Sequence, residues 1–285
     1  MPPLKQVKWL EPGSGHYPTA IQLLDVAKYS QNEVIVTEMT LNIYTDLITV
    51  ILGPHGPDKS ALIGMITGLM VPTHGTVIVH GYNIQLNKNK AQENIGLCPK
   101  NDVLYNMLTC LEHMTFFYKL KGIEADTNEI LELLAGIQLG EKAYTRTSQL
   151  SAYEKRLLSL AVATIRDPKV IIMDGPSKGL SLAEQRELWS FLKTLKSNRA
   201  IIVTTSSVGE AEAVGDWAAV IINGDVRCYG SQAFLKYKYG VGYQLNVVKK
   251  QNCLVGKVTT AVLRVIPTAS LQVGCRLCLW TAPYR

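Results

Sequence analysis

The sequence has no apolar stretch near the roughly 18–20 residues needed to cross a bilayer as a helix. Its longest apolar runs, residues 47–52 and 218–222, have the length of strands. The opening Met1-Pro2-Pro3-Leu4-Lys5 lacks the apolar centre of a secretory signal. The expectation is a cytoplasmic domain, or one held at the cytoplasmic face of a membrane through a partner. Also missing is any stripe of basic and aromatic residues. Lys and Arg are scattered, apart from short pairs such as Lys249-Lys250, and the net charge is only +6. A mild excess of that kind is a solvated surface, so no nucleic-acid partner is expected. Four of the 6 cysteines lie far apart in apolar contexts, as buried thiols in a reducing compartment do. Cys275 and Cys278 have metal or redox spacing, but no second pair or flanking histidine accompanies them. No internal repeat is visible.

What is present is enough apolar material, 47% of 285 residues, for one sizeable α/β core with appendages. Residues 1–19 are rich in Pro and Gly and read as a linker. Short β-branched segments follow from residue 21 to 50, typical of an antiparallel sheet. The run 47–52 is continuously apolar, as expected of a strand buried on both faces. A loop and a helix over residues 59–69 come next, then a strand over 76–80. Residues 103–165 turn helical; Leu158, Ala161, Val162 and Ile165 repeat at helical spacing. Strands at 170–173, 201–204 and 218–222 then alternate with helices at 182–196 and 210–214. Leu188, Phe191, Leu192 and Leu195 mark one face of the first of these helices. That alternation predicts a parallel sheet with right-handed crossovers. Beyond about residue 247 the signals weaken into an incomplete tail.

One motif carries chemistry. Gly53-Pro-His-Gly-Pro-Asp-Lys59-Ser60 lies between the buried strand and a helix, the context a phosphate loop requires. In such a loop, backbone N–H groups around Gly53 and Gly56 face an anion. Lys59 reaches the outer phosphates, and Ser60 offers its hydroxyl to Mg²⁺. Far downstream, Val170-Ile-Ile-Met-Asp174 is an apolar strand that ends in an acid, the second half of a phosphate-and-metal site.

With these pieces in place, segments 51–79, 95–122, 150–163 and 215–250 together resemble the ATP-binding-cassette family, and within it subfamily A, the lipid exporters. The resemblance covers about residues 20–250 and matches in order. It implies a phosphate-loop NTPase cassette over 20–246. The fold class expected is α/β, with a mostly parallel sheet core, an N-terminal antiparallel β subdomain and a helical signature subdomain at about 103–165. Residues 247–285 would be a truncated regulatory-like tail. The ligands it implies are ATP and Mg²⁺, with Ser60 and Asp174 toward the metal, Tyr29 near adenine and Ser151 in the signature. Its partners would be a second nucleotide-binding domain or a transporter's transmembrane domains, with lipid met only indirectly.

Against the family pattern, several positions have changed. Asp58 stands where Gly precedes the Lys, and brings bulk and negative charge to an anion site. Two unit charges roughly 4 Å apart repel by about 4 kcal/mol at an effective dielectric near 20. A micromolar affinity amounts to about 8 kcal/mol. Asp58 could instead pair with Lys59 and remove the cation that phosphates need. Gly175 replaces the Glu that polarises water, a role worth about 10²–10⁴-fold. Ser206 replaces the His that contacts the γ-phosphate, and Lys100 replaces a Gln that binds Mg²⁺, where its ammonium could take the metal's place. In the signature, Ala152 and Tyr153 replace two glycines after Ser151, and the following Ser177–Ser181 turn lacks its usual Asp. Three readings stay open on sequence: a cassette that binds ATP weakly and hydrolyses poorly or not at all, a working ATPase half for lipid export, and a nucleotide-free adaptor docking on transporters.

Overall fold

The computed structural model describes residues 9–11, 17–30, 33–124, 126–239, 243–248, 255–265, 270–273 and 277–282. It divides into two units, Met1–Gly230 and Ser231–Arg285. That division falls earlier than the expected boundary after residue 246. Lys249, Lys250 and Cys275 lie outside the described residues, and with Cys275 the expectation for its pair with Cys278.

In the first unit the chain runs through β1 (Trp9–Leu10), β2 (Thr19–Ser30), β3 (Glu33–Tyr44), β4 (Ile48–Leu52) and α1 (Pro57–Ile66). It continues with β5 (His74–Val79), β6 (Tyr82–Asn83), α2 (Lys88–Glu93), β7 (Ile95–Cys98), α3 (Cys110–Leu120) and α4 (Thr127–Gly136). After two short 3₁₀ turns come α5 (Ala152–Thr164), β8 (Val170–Asp174), α6 (Leu182–Leu195), β9 (Ala200–Thr205), α7 (Val208–Val214), β10 (Trp217–Ile222) and β11 (Asp225–Ser231).

Seven strands form the main sheet in the order β1-β11-β10-β4-β9-β8-β7. The run β10-β4-β9-β8-β7 is parallel throughout. Its middle strands are apolar because both faces are covered: Ile48, Val50 and Ile51 of β4, Val170–Met173 of β8 and Ile201–Val203 of β9 are all 0% exposed. A second sheet, β3-β2-β5-β6, is antiparallel. Its strands β2 and β3 are 12 residues each, longer than the short segments expected, and they stay paired by absorbing register shifts such as the one between Leu23 and Val26. The stretch read as a linker also contributes: Trp9 and Leu10 pair in parallel with Cys228 and Tyr229 at one edge of the main sheet.

The second unit holds α8 (Gln232–Tyr239), β12 (Tyr243–Val248), α9 (Val255–Val265), β13 (Ser270–Val273) and β14 (Leu277–Ala282). There β14 is flanked on both sides by antiparallel partners, β12 and β13. Among the described residues no helix is long and apolar enough to cross a membrane.

Helices α3 to α5 form the expected block between β7 and β8, and a buried histidine ties its loops together. His113 is 0% exposed. Its Nε2 accepts from the Tyr105 N–H at 2.7 Å, while Nδ1 faces the Thr109 carbonyl at 3.2 Å and the Thr147 hydroxyl at 3.1 Å. The Thr147 proton is already committed to the Leu108 carbonyl. These contacts define a neutral ring with its proton on Nδ1. Burial pulls the His113 pKa below the ordinary histidine value, despite the Thr109 carbonyl and Glu112. An unfolded histidine protonates near pH 6.5, so the unfolded chain takes up the proton first. The stabilisation is complete above that value and is lost as pH falls through the lower, folded pKa. We expect the unfolding midpoint to drop on acidification from about pH 7 to about pH 5, and His113→Phe to flatten that slope while costing roughly 1–3 kcal/mol at neutral pH. Thermal unfolding at both pH values checks this; equal slopes for the two proteins would contradict it.

Candidate nucleotide site

Strand β4 delivers the chain to Gly53, whose N–H bonds the Thr205 carbonyl at 3.2 Å. A side chain there would drive its Cβ into the Ile221 carbonyl oxygen of β10, so the close approach of two neighbouring strands demands glycine. Gly56 is the N-cap of α1 and Pro57 opens the helix, where a missing N–H costs nothing. The next N–H groups have no partner within the helix and lie at its positive end, which is why such a terminus attracts anions.

Here that demand is met from within. Asp58 is 6% exposed, and its Oδ1 accepts from the Lys59 N–H at 2.8 Å. The Lys59 ammonium turns back on the loop: Nζ donates to the Gly53 carbonyl at 2.9 Å and makes a short bond to the Pro54 carbonyl. Of the two fates open to Asp58 on sequence, pairing with the Lys59 ammonium is not the contact its carboxylate makes. Its carboxylate holds the backbone of Lys59, not the ammonium. Burial lowers the Lys59 pKa; Asp58 and Asp174 hold it up, and the Lys100 charge pushes it down again.

At the end of β8, Asp174 Oδ1 accepts from the Thr204 hydroxyl of β9 at 2.5 Å. Gly175 follows with φ of +58°, the left-handed region that glycine enters freely. A cavity of about 360 Å³ opens beside these residues, lined by His55, Lys59, Lys100, Asp174, Gly175 and Ser206 among others. The structure thus brings Lys59 and Asp174 together, with Gly175, Ser206 and Lys100 around them.

Two further groups in this cavity escaped sequence reading. His55 Nε2 lies 3.5 Å from Ser206 Oγ, so an imidazole enters from the phosphate loop near the position where one was missed. Its signal was a histidine inside the loop motif itself. Glu210 is 6% exposed and also lines the cavity. Its carboxylate accepts from Thr205 Oγ1 at 2.6 Å and Trp189 Nε1 at 3.3 Å, with a short bond from Ser177. It fastens β9, α6 and the turn after β8, and those bonds occupy its oxygens.

Arg156 on α5 braces Lys100 from behind. It is 4% exposed, donates to the Pro99 and Lys100 carbonyls at 2.8 and 3.1 Å, and lies 3.2 Å from the Asp102 carboxylate. Burial raises the Asp102 pKa and the Arg156 charge works against that rise.

With this geometry established, comparison with known proteins places the chain. A family model described as "ABC transporter" matches residues 36–178. The chain belongs to the ABC transporter family. Its relatives are of subfamily A: the mouse phospholipid-transporting ATPase ABCA3 is 36% identical over 239 residues, 83% of this chain and 14% of that protein. A Dictyostelium discoideum ABC transporter A family member 2 is 36% identical over 244 residues, 84% of this chain and 15% of that protein. The chain therefore spans about one-seventh of the length of these relatives. An ATP-binding subunit of an ABC transporter superposes with a TM-score of 0.69 at 20% identity, covering 86% of this chain and 99% of that one. A dimeric bacterial ABC transporter cassette gives 0.65 at 23% identity, covering 74% and 98%. The fold is that of the ABC cassette.

The remaining cassette positions lie apart from the cavity. Ser151 is the N-cap of α5: its hydroxyl accepts from the Glu154 N–H at 3.1 Å, and Glu154 returns the bond to the Ser151 N–H at 2.8 Å. That capping box gives the serine a local structural task. Tyr29 lies on β2, 43% exposed, its ring unburied by the antiparallel sheet. Ser60, on the first turn of α1, is exposed.

Two oxygen donors remain toward Mg²⁺, but a cation, Lys100, lines the same cavity as Asp174. That ion wants an octahedral set of oxygens. The candidates are the exposed Ser60 hydroxyl and Asp174, one of whose oxygens is held by Thr204. Lys100 stands where the amide ligand should be, and Gly175 has no side chain. A divalent ion about 5 Å from an ammonium is repelled by about 3 kcal/mol even at an effective dielectric of about 40.

The loop geometry generates a direct expectation. Displacing a charge-assisted hydrogen bond costs about 1.5–3 kcal/mol, so Asp58→Gly should tighten binding of an ATP analogue by roughly 10–100-fold. Equilibrium titration of the two proteins tests this, and an unchanged affinity would refute the role given to Asp58.

Proposed function

We propose that this cassette is a nucleotide-binding domain of the subfamily A type that holds ATP weakly and hydrolyses it poorly or not at all. The observation that carries the reading is the absence, in the cavity beyond Asp174, of a carboxylate free to orient water. Gly175 offers none, and the oxygens of Glu210 are taken up by Ser177, Thr205 and Trp189. General-base catalysis contributes about 10²–10⁴-fold, and the histidine of the family pattern is Ser206 here.

Nucleotide binding is retained in this reading because the phosphate loop keeps its strand, its helix N-terminus and Lys59. It is weak because Asp58 must be displaced first. The proposed partners are a second nucleotide-binding domain or the transmembrane domains of a transporter, at the cytoplasmic face of a membrane, with lipid reached only through them. In a head-to-tail pair, each composite site would join one module's phosphate loop to the other's signature. Ala152 and Tyr153 then compromise the second site as Asp58 and Gly175 compromise the first.

Phosphate release from the wild type should stay within about twofold of a Lys59→Ala control, since both lack general-base assistance. A rate well above that control would overturn the reading. Gly175→Glu alone should restore little, because a non-glycine residue in the left-handed region costs roughly 1–2 kcal/mol and Ser206 and Tyr153 remain. Single-turnover assays on that variant check the point, and a large gain would count against it.

A further inference from the structure

The cation that shares this cavity with Asp174 has a consequence for what the site binds. In the cavity of about 360 Å³, Lys100 and Lys178 join Lys59 on the lining, so three lysines share it with two carboxylates, Asp174, which accepts from Thr204, and Glu210, which accepts from Ser177, Thr205 and Trp189. The Lys100 side chain leans over Gly175: its Cγ would lie 3.8 Å from a Cβ built there. A lysine side chain therefore lies beside the backbone position where the family pattern has Glu. Lys100 is close enough to Lys59 for the two charges to sense one another. Its backbone is anchored to α5 by Arg156, which fixes where the ammonium can reach. An ordinary phosphate loop relies on one lysine and a metal ion to neutralise the outer phosphates. This one keeps Ser60 and Asp174 and adds Lys100 and Lys178 to the cavity lining.

We propose that this cavity takes the outer phosphates of a nucleoside triphosphate without a divalent cation, the Lys100 ammonium standing in the metal's place and Lys178 supporting it. The inference rests on the reading of the domain as nucleotide-binding and adds the charge state of the ligand: free triphosphate, not its Mg²⁺ complex. Lysine acts on phosphate as a mobile point charge, which suits an exposed position such as Lys100.

The test is equilibrium titration of the full chain with a fluorescent ATP analogue, in EDTA and then in excess Mg²⁺. Wild type should bind as tightly in EDTA as in Mg²⁺, or more tightly. Lys100→Gln should loosen binding in EDTA by about tenfold and make it respond to Mg²⁺, whereas Lys100→Arg should keep the metal-free affinity. Lys100 is exposed, so these variants should fold, and an unchanged unfolding midpoint verifies it. Wild-type binding that requires Mg²⁺, or a Lys100→Gln variant indistinguishable from wild type in EDTA, overturns this inference and leaves the nucleotide-binding reading standing. No binding in either buffer overturns both.

Discussion

A carboxylate bonded to the backbone of its own phosphate loop is the interaction on which the rest of this site depends. The N-terminus of α1 is an anion site by construction, since its first N–H groups cannot be paired within the helix. Asp58 is the anion that occupies it, through the Lys59 N–H at 2.8 Å. The Lys59 ammonium bonds the Gly53 and Pro54 carbonyls of the same loop. Asp58 thus satisfies one amide at this helix start. In the proposed reading a nucleotide displaces this carboxylate, which is tethered to the loop and mostly buried.

The cassette fold survives this because different residues carry the fold and the chemistry. Strands β4, β8 and β9 are held by apolar side chains excluded from water, and the charged changes at Asp58 and Lys100 touch none of those contacts. Some residues that look like relics of catalysis have structural employment. Ser151 caps α5, Asp174 ties β8 to β9 through Thr204, and Glu210 joins three elements. Each of them holds a hydrogen bond within the fold.

Much of this could be read before the coordinates. The continuous apolar runs at β4, β8 and β9 gave away a doubly covered parallel sheet, because only burial on both faces tolerates such runs. The glycine-bounded loop between β4 and α1 was legible from its residues. Other features were not. β7 is four residues long with a glycine inside it, too short for any periodicity. β1 hides in a stretch dominated by Pro and Gly, and is defined only by its partner β11. The direction of the Asp58 carboxylate depends on two side-chain torsions, which composition does not encode. His55 beside Ser206 is a contact between residues far apart in sequence, visible only once β9 lies next to β4.

The central claim, that the loop is already satisfied by Asp58, is tested most directly at one amide. Hydrogen exchange of the Lys59 N–H in nucleotide-free protein, followed by NMR, should show protection in the wild type that is lost in Asp58→Ala while the amides of the middle of α1 keep theirs. A Lys59 amide that exchanges as fast in the wild type as in the variant would contradict the account.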